Sequence, residues 1–143
     1  MAKGLAPALS RWATVQQRKI LKDGDALSAS DLKFAETLGI KRPEEIRVLI
    51  VDSIPLPAPE WLVRAAARIG LPVFRPGGLA LERGIFLLPG QLSSLPHELV
   101  HVLQYQRLGG TKPFMRRYVL ECLTEGYGDA GLEVEARKVS GGC

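Results

Sequence analysis

Apolar and polar positions along the chain repeat with a helical period near both ends and with a shorter one in the middle. From Ser10 to Lys22 the apolar residues Trp12, Val15, Ile20 and Leu21 are spaced for a helix, which Asp23-Gly24-Asp25 ends. Ser30 is the expected N-cap of a second helix that Gly39 stops, and Pro43-Glu44-Glu45 reads as a turn. Ile46 to Val51 is β-branched and nearly continuous in apolar character, which predicts a strand covered on both faces. Pro55, Pro57 and Pro59 form an extended connector, and Glu60 to Ile69 predicts an amphipathic helix closed by Gly70. Between Leu71 and Gly90 short apolar pieces are interrupted by Pro72, Pro76, Gly77-Gly78 and Gly84. This predicts two or three short strands, with Leu79 to Leu81 and Ile85 to Leu88 paired as a hairpin. The remainder predicts three helices, over 95–107, 112–124 and 131–139, separated by Gly109-Gly110 and Gly126-Tyr127-Gly128.

This order of elements predicts an α+β domain in which a small β-sheet covers a helical C-terminal half. At 143 residues and 46% hydrophobic content the chain has the size and composition of one domain over 1–143, with 1–27 as a candidate helical extension. Its apolar runs fall far short of the roughly 20 residues that cross a bilayer, so no membrane span is expected. Arg11 interrupts the N-terminus before an apolar signal core can form, so a cytoplasmic location is expected. The two cysteines, Cys122 and Cys143, read as separate reduced thiols. A net charge of +4 comes from scattered rather than clustered basic residues, which argues against nucleic acid as a partner.

The chemistry is concentrated in Leu95-Pro96-His97-Glu98-Leu99-Val100-His101-Val102-Leu103, an HExxH pattern inside an otherwise apolar helix. Histidines four apart lie on one helix face, about 6 Å along the axis, so both rings reach a single Zn²⁺. Glu98 projects about 100° round the helix from His97, where it can take a proton from a metal-activated water without displacing a ligand. The chain's two histidines fall into this pattern by chance only about once in a thousand arrangements. Pro96 is tolerated only in a first turn, so the helix is expected to begin at about Leu95, and its dipole there favours an ionised Glu98.

A catalytic zinc site takes three protein ligands and leaves a fourth position open. Lacking a third histidine, the chain must supply a carboxylate, and Gly131-Leu132-Glu133-Val134-Glu135-Ala136-Arg137 offers two on a later helix. Carboxylates two residues apart point about 200° from one another, so only one faces the metal. By angle, Glu135 lies nearer the centre of the apolar face marked by Leu132, Ala136 and Val139.

From Leu95 to Arg137 the sequence resembles the gluzincin class of zinc metallopeptidases, including small bacterial zincin-like domains in which HExxH is followed by a Glu on a later helix. The resemblance implies a zincin-like fold, one Zn²⁺ per chain and a peptide or protein substrate. It also implies that the third ligand is the first Glu of a Glu-x-x-Ala pattern, here Glu133. Those families often carry Asp or Asn where this chain has Arg137, which cannot accept the second ring proton of a ligand histidine. Asp129 or a backbone carbonyl is then the expected acceptor. Among Tyr105, Tyr118 and Tyr127, the last is the preferred donor to a developing oxyanion because it lies between glycines shortly before the third ligand. Gln104 reads as a helix-surface or buried hydrogen-bonding residue rather than a participant, and Cys143 as a free terminal thiol.

These residues together predict a zinc metallopeptidase with His97, His101 and Glu133 as ligands and Glu98 as general base. An extended peptide would be held on the strand Ile85 to Leu88 by β-augmentation. The rival expectation is a catalytically silent zinc-binding interaction module.

Overall fold

The computed structural model describes residues 2–55, 77–125 and 131–141. The predicted helix Glu60 to Ile69, the pieces from Leu71 to Pro76, and Tyr127, Asp129 and Cys143 lie outside the described residues.

The first helix, α1 (Ala2–Asp23), starts eight residues earlier than its apolar spacing predicts and contains Pro7. Ala2, Ala6 and Ala8 have high helix propensity, and Leu9 and Trp12 pack against the core as the helix reaches it. Farther along, Ala13 and Ile20 are fully buried, so this helix is part of the core. The two-residue strand β1 (Asp25–Ala26) follows, then α2 (Ala29–Leu38). The N-cap of α2 is Ser28 rather than Ser30: Ser28 has extended backbone, and its Oγ accepts the Asp31 N–H at 3.2 Å. Ser30 already sits in the first helical turn. Gly39 closes α2 at φ 90°, and Pro43–Glu45 forms one 3₁₀ turn.

The sheet comprises β1, β2 (Arg47–Ile50), β3 (Gly78–Leu81) and β4 (Gly84–Leu87) in the spatial order β1-β2-β4-β3. Strands β2 and β4 pair in parallel, with Val48 opposite Ile85, while β3 and β4 form the predicted antiparallel hairpin across Glu82-Arg83. Every residue of β4 is buried. Phe86 joins a cluster with Ala13, Ile20, Tyr105, Phe114 and Leu132, whereas Ile85 and Leu87 join Ala35, Ile46, Leu95, Leu99 and Val102. Successive side chains thus feed two packed layers, as the pleat requires. Gly84 makes the α1 layer possible, because a Cβ there would lie 3.0 Å from the Ile20 side chain.

Two expectations change. The strand covered on both faces is β4, while β2 is half-buried and its Ile50 is 55% exposed. Because β4 is hydrogen-bonded on both sides, Ile85 to Leu88 cannot accept a peptide by strand addition.

The C-terminal half carries the three predicted helices as α3 (Leu95–Leu108), α4 (Thr111–Glu125) and α5 (Gly131–Val139), which completes an α+β architecture. No described helix is long and apolar enough to cross a membrane.

Candidate metal centre

Helix α3 begins at Leu95, directly after a 3₁₀ turn over Leu92–Ser94, with Pro96 in its first turn. Leu95, Leu99 and Val102 are buried against the sheet. That anchoring fixes the rotation of α3 and turns His97 and His101 together towards α5. Helix α5 buries Leu132 and Ala136, which places Glu133 opposite the two rings.

The three side chains converge on one point. His97 Nε2 and His101 Nε2 lie 3.1 and 3.2 Å from Glu133 Oε1, and 3.2 Å from each other. His97, His101 and Glu133 therefore form a group that could hold a metal ion. Of the two carboxylates left open by helix angle, Glu133 is the one at the histidines. The Glu135 carboxylate instead takes hydrogen bonds from Gln104 Nε2 at 2.7 Å and Arg107 at 3.0 and 3.2 Å.

Two residues expected from the sequence to have other roles touch this group, Tyr118 as one of three candidate oxyanion donors and Gln104 as a residue outside the site. The Tyr118 hydroxyl donates to Glu133 Oε2 at 2.7 Å, leaving Oε1 to the histidines. Gln104 Oε1 lies 2.8 Å from His101 Nδ1, the ring nitrogen that faces away from the cluster. Gln104 therefore takes the position sought for an acceptor near Arg137 or Asp129. Its signal was its spacing, since it stands on the same face of α3 as His97 and His101, seven and three residues beyond them. Tyr105 is not available to a substrate: it is fully buried, and its hydroxyl donates to the Ala80 carbonyl at 3.2 Å.

Glu98 is 6% exposed, and the Ala80 N–H of strand β3 donates to its carboxylate. Gly78, two residues earlier on the same strand, leaves the space: a Cβ there would lie 3.1 Å from Glu98 Cγ and 2.8 Å from Leu87 Cδ2. Beneath the cluster Phe114 meets His101 edge-on at 6.3 Å and stacks between Tyr105 and Tyr118. Phe114 thus supplies a dry apolar floor.

The electrostatics of the site follow from burial and close carboxylates. Burial raises the pKa of Glu98 above the usual carboxylate value, although His101, His97 and the Ala80 N–H oppose that rise. For His101 burial works against a charge, yet the hydrogen bond and charge of Glu133, with the charge of Glu98, outweigh it and raise its pKa. For Glu133 burial likewise favours the neutral acid, but the two histidines and Tyr118 hold it well below the usual range. A field that favours a proton among these groups also favours a metal cation. Comparison of the chain with protein-family models, with curated proteins and with solved structures finds no match, so function is read from these side chains.

Proposed function

We propose that the protein is a zinc-dependent hydrolase of peptide bonds in which His97, His101 and Glu133 hold one Zn²⁺ and Glu98 is the general base. The observation that carries this reading is the ligand triangle, with edges of 3.1, 3.2 and 3.2 Å. Ligands about 2.0–2.1 Å from a tetrahedral zinc ion lie roughly 3.3–3.4 Å from each other, so the triangle fits with small adjustments of its side chains. The donor set, two imidazoles and one carboxylate, is one that zinc accepts, and three ligands leave a fourth position for catalysis.

When bound, zinc would supply Lewis acidity, lowering the pKa of a water and polarising a scissile carbonyl. Glu98 accepts a proton at its carboxylate and passes it to the leaving amine. The Ala80 N–H holds the carboxylate in place between transfers. Tyr118 keeps Glu133 turned so that one oxygen meets the histidines. The choice of a peptide bond, rather than another acyl bond, rests on the resemblance of the motif to gluzincins.

The low exposure of Glu98 favours a second reading, a zinc-binding interaction module without turnover. Metal analysis of the purified protein and of Glu98→Gln, with both tested on a broad peptide library, separates the two. The hydrolase reading expects one zinc in each and cleavage by the wild type alone, with a loss of about 10²–10⁴-fold in the variant. Zinc in both without cleavage by either supports the module.

A further inference from the structure

We propose that Gln104 is the positioning residue of the metal site: it fixes His101 in the tautomer that carries its proton on Nδ1 and presents the Nε2 lone pair to the metal. This rests on the metal-binding reading above. The orientation of the Gln104 amide is decided by its surroundings. On one side lie two groups that only accept, the Leu132 carbonyl at 3.0 Å and Glu135 Oε1 at 2.7 Å. Both must receive the NH₂, so the amide oxygen faces His101 Nδ1 at 2.8 Å and that nitrogen carries the proton. Neutral His101 then has a lone pair on Nε2, the atom 3.2 Å from Glu133 Oε1.

The source of the orientation is notable. Leu132 and Glu135 flank Glu133 on α5, so the helix that delivers the third ligand also sets the proton of the second. Gln104 is 1% exposed, so bulk solvent does not compete for its amide. At the surface Arg107 fixes Glu135 through 3.0 and 3.2 Å contacts. The chain Arg107, Glu135, Gln104, His101 runs from solvent to the ligand and gives Glu135 its role. His97 has no counterpart, since its Nδ1 is buried without a hydrogen-bond partner among the described residues. Among the described residues the two histidines are therefore held unequally: the Nδ1 of His101 has an oriented acceptor and that of His97 has none.

The test compares two replacements. Gln104→Met keeps the approximate volume but removes the acceptor, whereas Gln104→Glu keeps an acceptor for the His101 Nδ1 proton while placing a carboxylate beside Glu135. Zinc affinity is measured by competition with a chromophoric chelator, with Co²⁺ spectra as a second probe. We expect Gln104→Met to bind zinc about 10–100-fold more weakly and to shift the Co²⁺ bands, and Gln104→Glu to bind at least 10-fold more tightly than Gln104→Met. A purely structural role gives the reverse order, because the buried carboxylate is the more damaging change. That order, or equal affinities in all three proteins, overturns the proposal. If Gln104→Glu does not fold, Gln104→Glu/Glu135→Gln relieves the like charges and carries the same expectation.

A readout that needs no variant is ring ¹⁵N NMR of the zinc-loaded wild type, which contains only two histidines. It should show one slowly exchanging Nδ1–H, from His101, and its absence also overturns the proposal. A wild type that binds neither zinc nor cobalt removes the metal reading itself, whereas one that binds both with all three affinities equal removes only the role of Gln104.

Discussion

Replacing Glu133 by Gln removes one negative ligand and leaves its volume and the Tyr118 contact largely in place. Zinc at about 100 times its Kd stabilises the folded chain by about 2.7 kcal/mol. For 143 residues the unfolding entropy is about 0.3 kcal/mol per degree, so the expected rise in Tm is about 9 °C. Loss of hydrogen-bonded partners outside the ligand set typically costs about 10–100-fold in affinity, and loss of a ligand at least the upper end of that range. At the same zinc concentration Glu133→Gln then sits near its own Kd, where stabilisation falls to about 0.4 kcal/mol and the rise in Tm to about 1 °C. Glu135→Gln keeps an acceptor for Gln104 and loses mainly the charge paired with Arg107, whose contacts are half exposed. A loss of at most about tenfold leaves about 1.4 kcal/mol, or a rise of about 5 °C. Differential scanning fluorimetry with and without zinc measures all three. A full rise in Glu133→Gln, or its loss in Glu135→Gln alone, refutes the assignment of Glu133 as the third ligand.

Gly78→Ala should lower stability by about 1–3 kcal/mol, because the new Cβ meets a fully buried Leu87 methyl and the Glu98 side chain. A urea midpoint equal to that of the wild type would show that this corner has slack. Tyr118→Phe, which removes the hydrogen bond to Glu133 Oε2, should weaken zinc binding by about tenfold with little change in melting temperature without zinc, the first checked by competition titration and the second by a thermal melt of the zinc-free protein. Zinc affinity should fall as pH drops through the raised pKa of His101, beginning above the usual histidine value of about 6.5, because the metal must displace a proton there. Glu133, held below the usual range, stays ionised through that window and adds no competition. An affinity constant from pH 8 to 5.5 would contradict the proton displacement.

The C-terminal helices were legible because Gly109-Gly110 and the glycine-rich segment near 126 interrupt strong apolar spacing, and HExxH was legible because its logic is local to two turns. The choice of Glu133 was not local. Helix angle favoured Glu135, since Leu132 and Ala136 mark where α5 meets the rest of the protein. Yet the ligand point lies beside that stripe, where Tyr118 of α4 also reaches. The role of Gln104 at the site was not legible for the same reason. Its partners Leu132 and Glu135 stand 28 and 31 residues away in sequence, so its role appears only once α5 is docked. At α2 the spacing pointed to Ser30 as the cap, whereas the extended backbone of Ser28 makes Ser28 the cap. The sheet was read as a set of strands but not as an order, because the parallel pairing of β2 and β4 spans a long connection that carries no register signal.

Ala80 offers both its main-chain groups to α3, its N–H to Glu98 and its carbonyl to Tyr105. These bonds occupy the outer rim of β3, where an open strand would otherwise invite pairing with another chain. At the opposite rim β1 is only two residues long. At Ala80 the β3 edge is thus shielded against association with another chain by the same contact that steadies the proposed base. A peptide presented to the proposed metal centre would find the Ala80 rung of β3 already occupied, so its recognition at that rung would come from side-chain contacts.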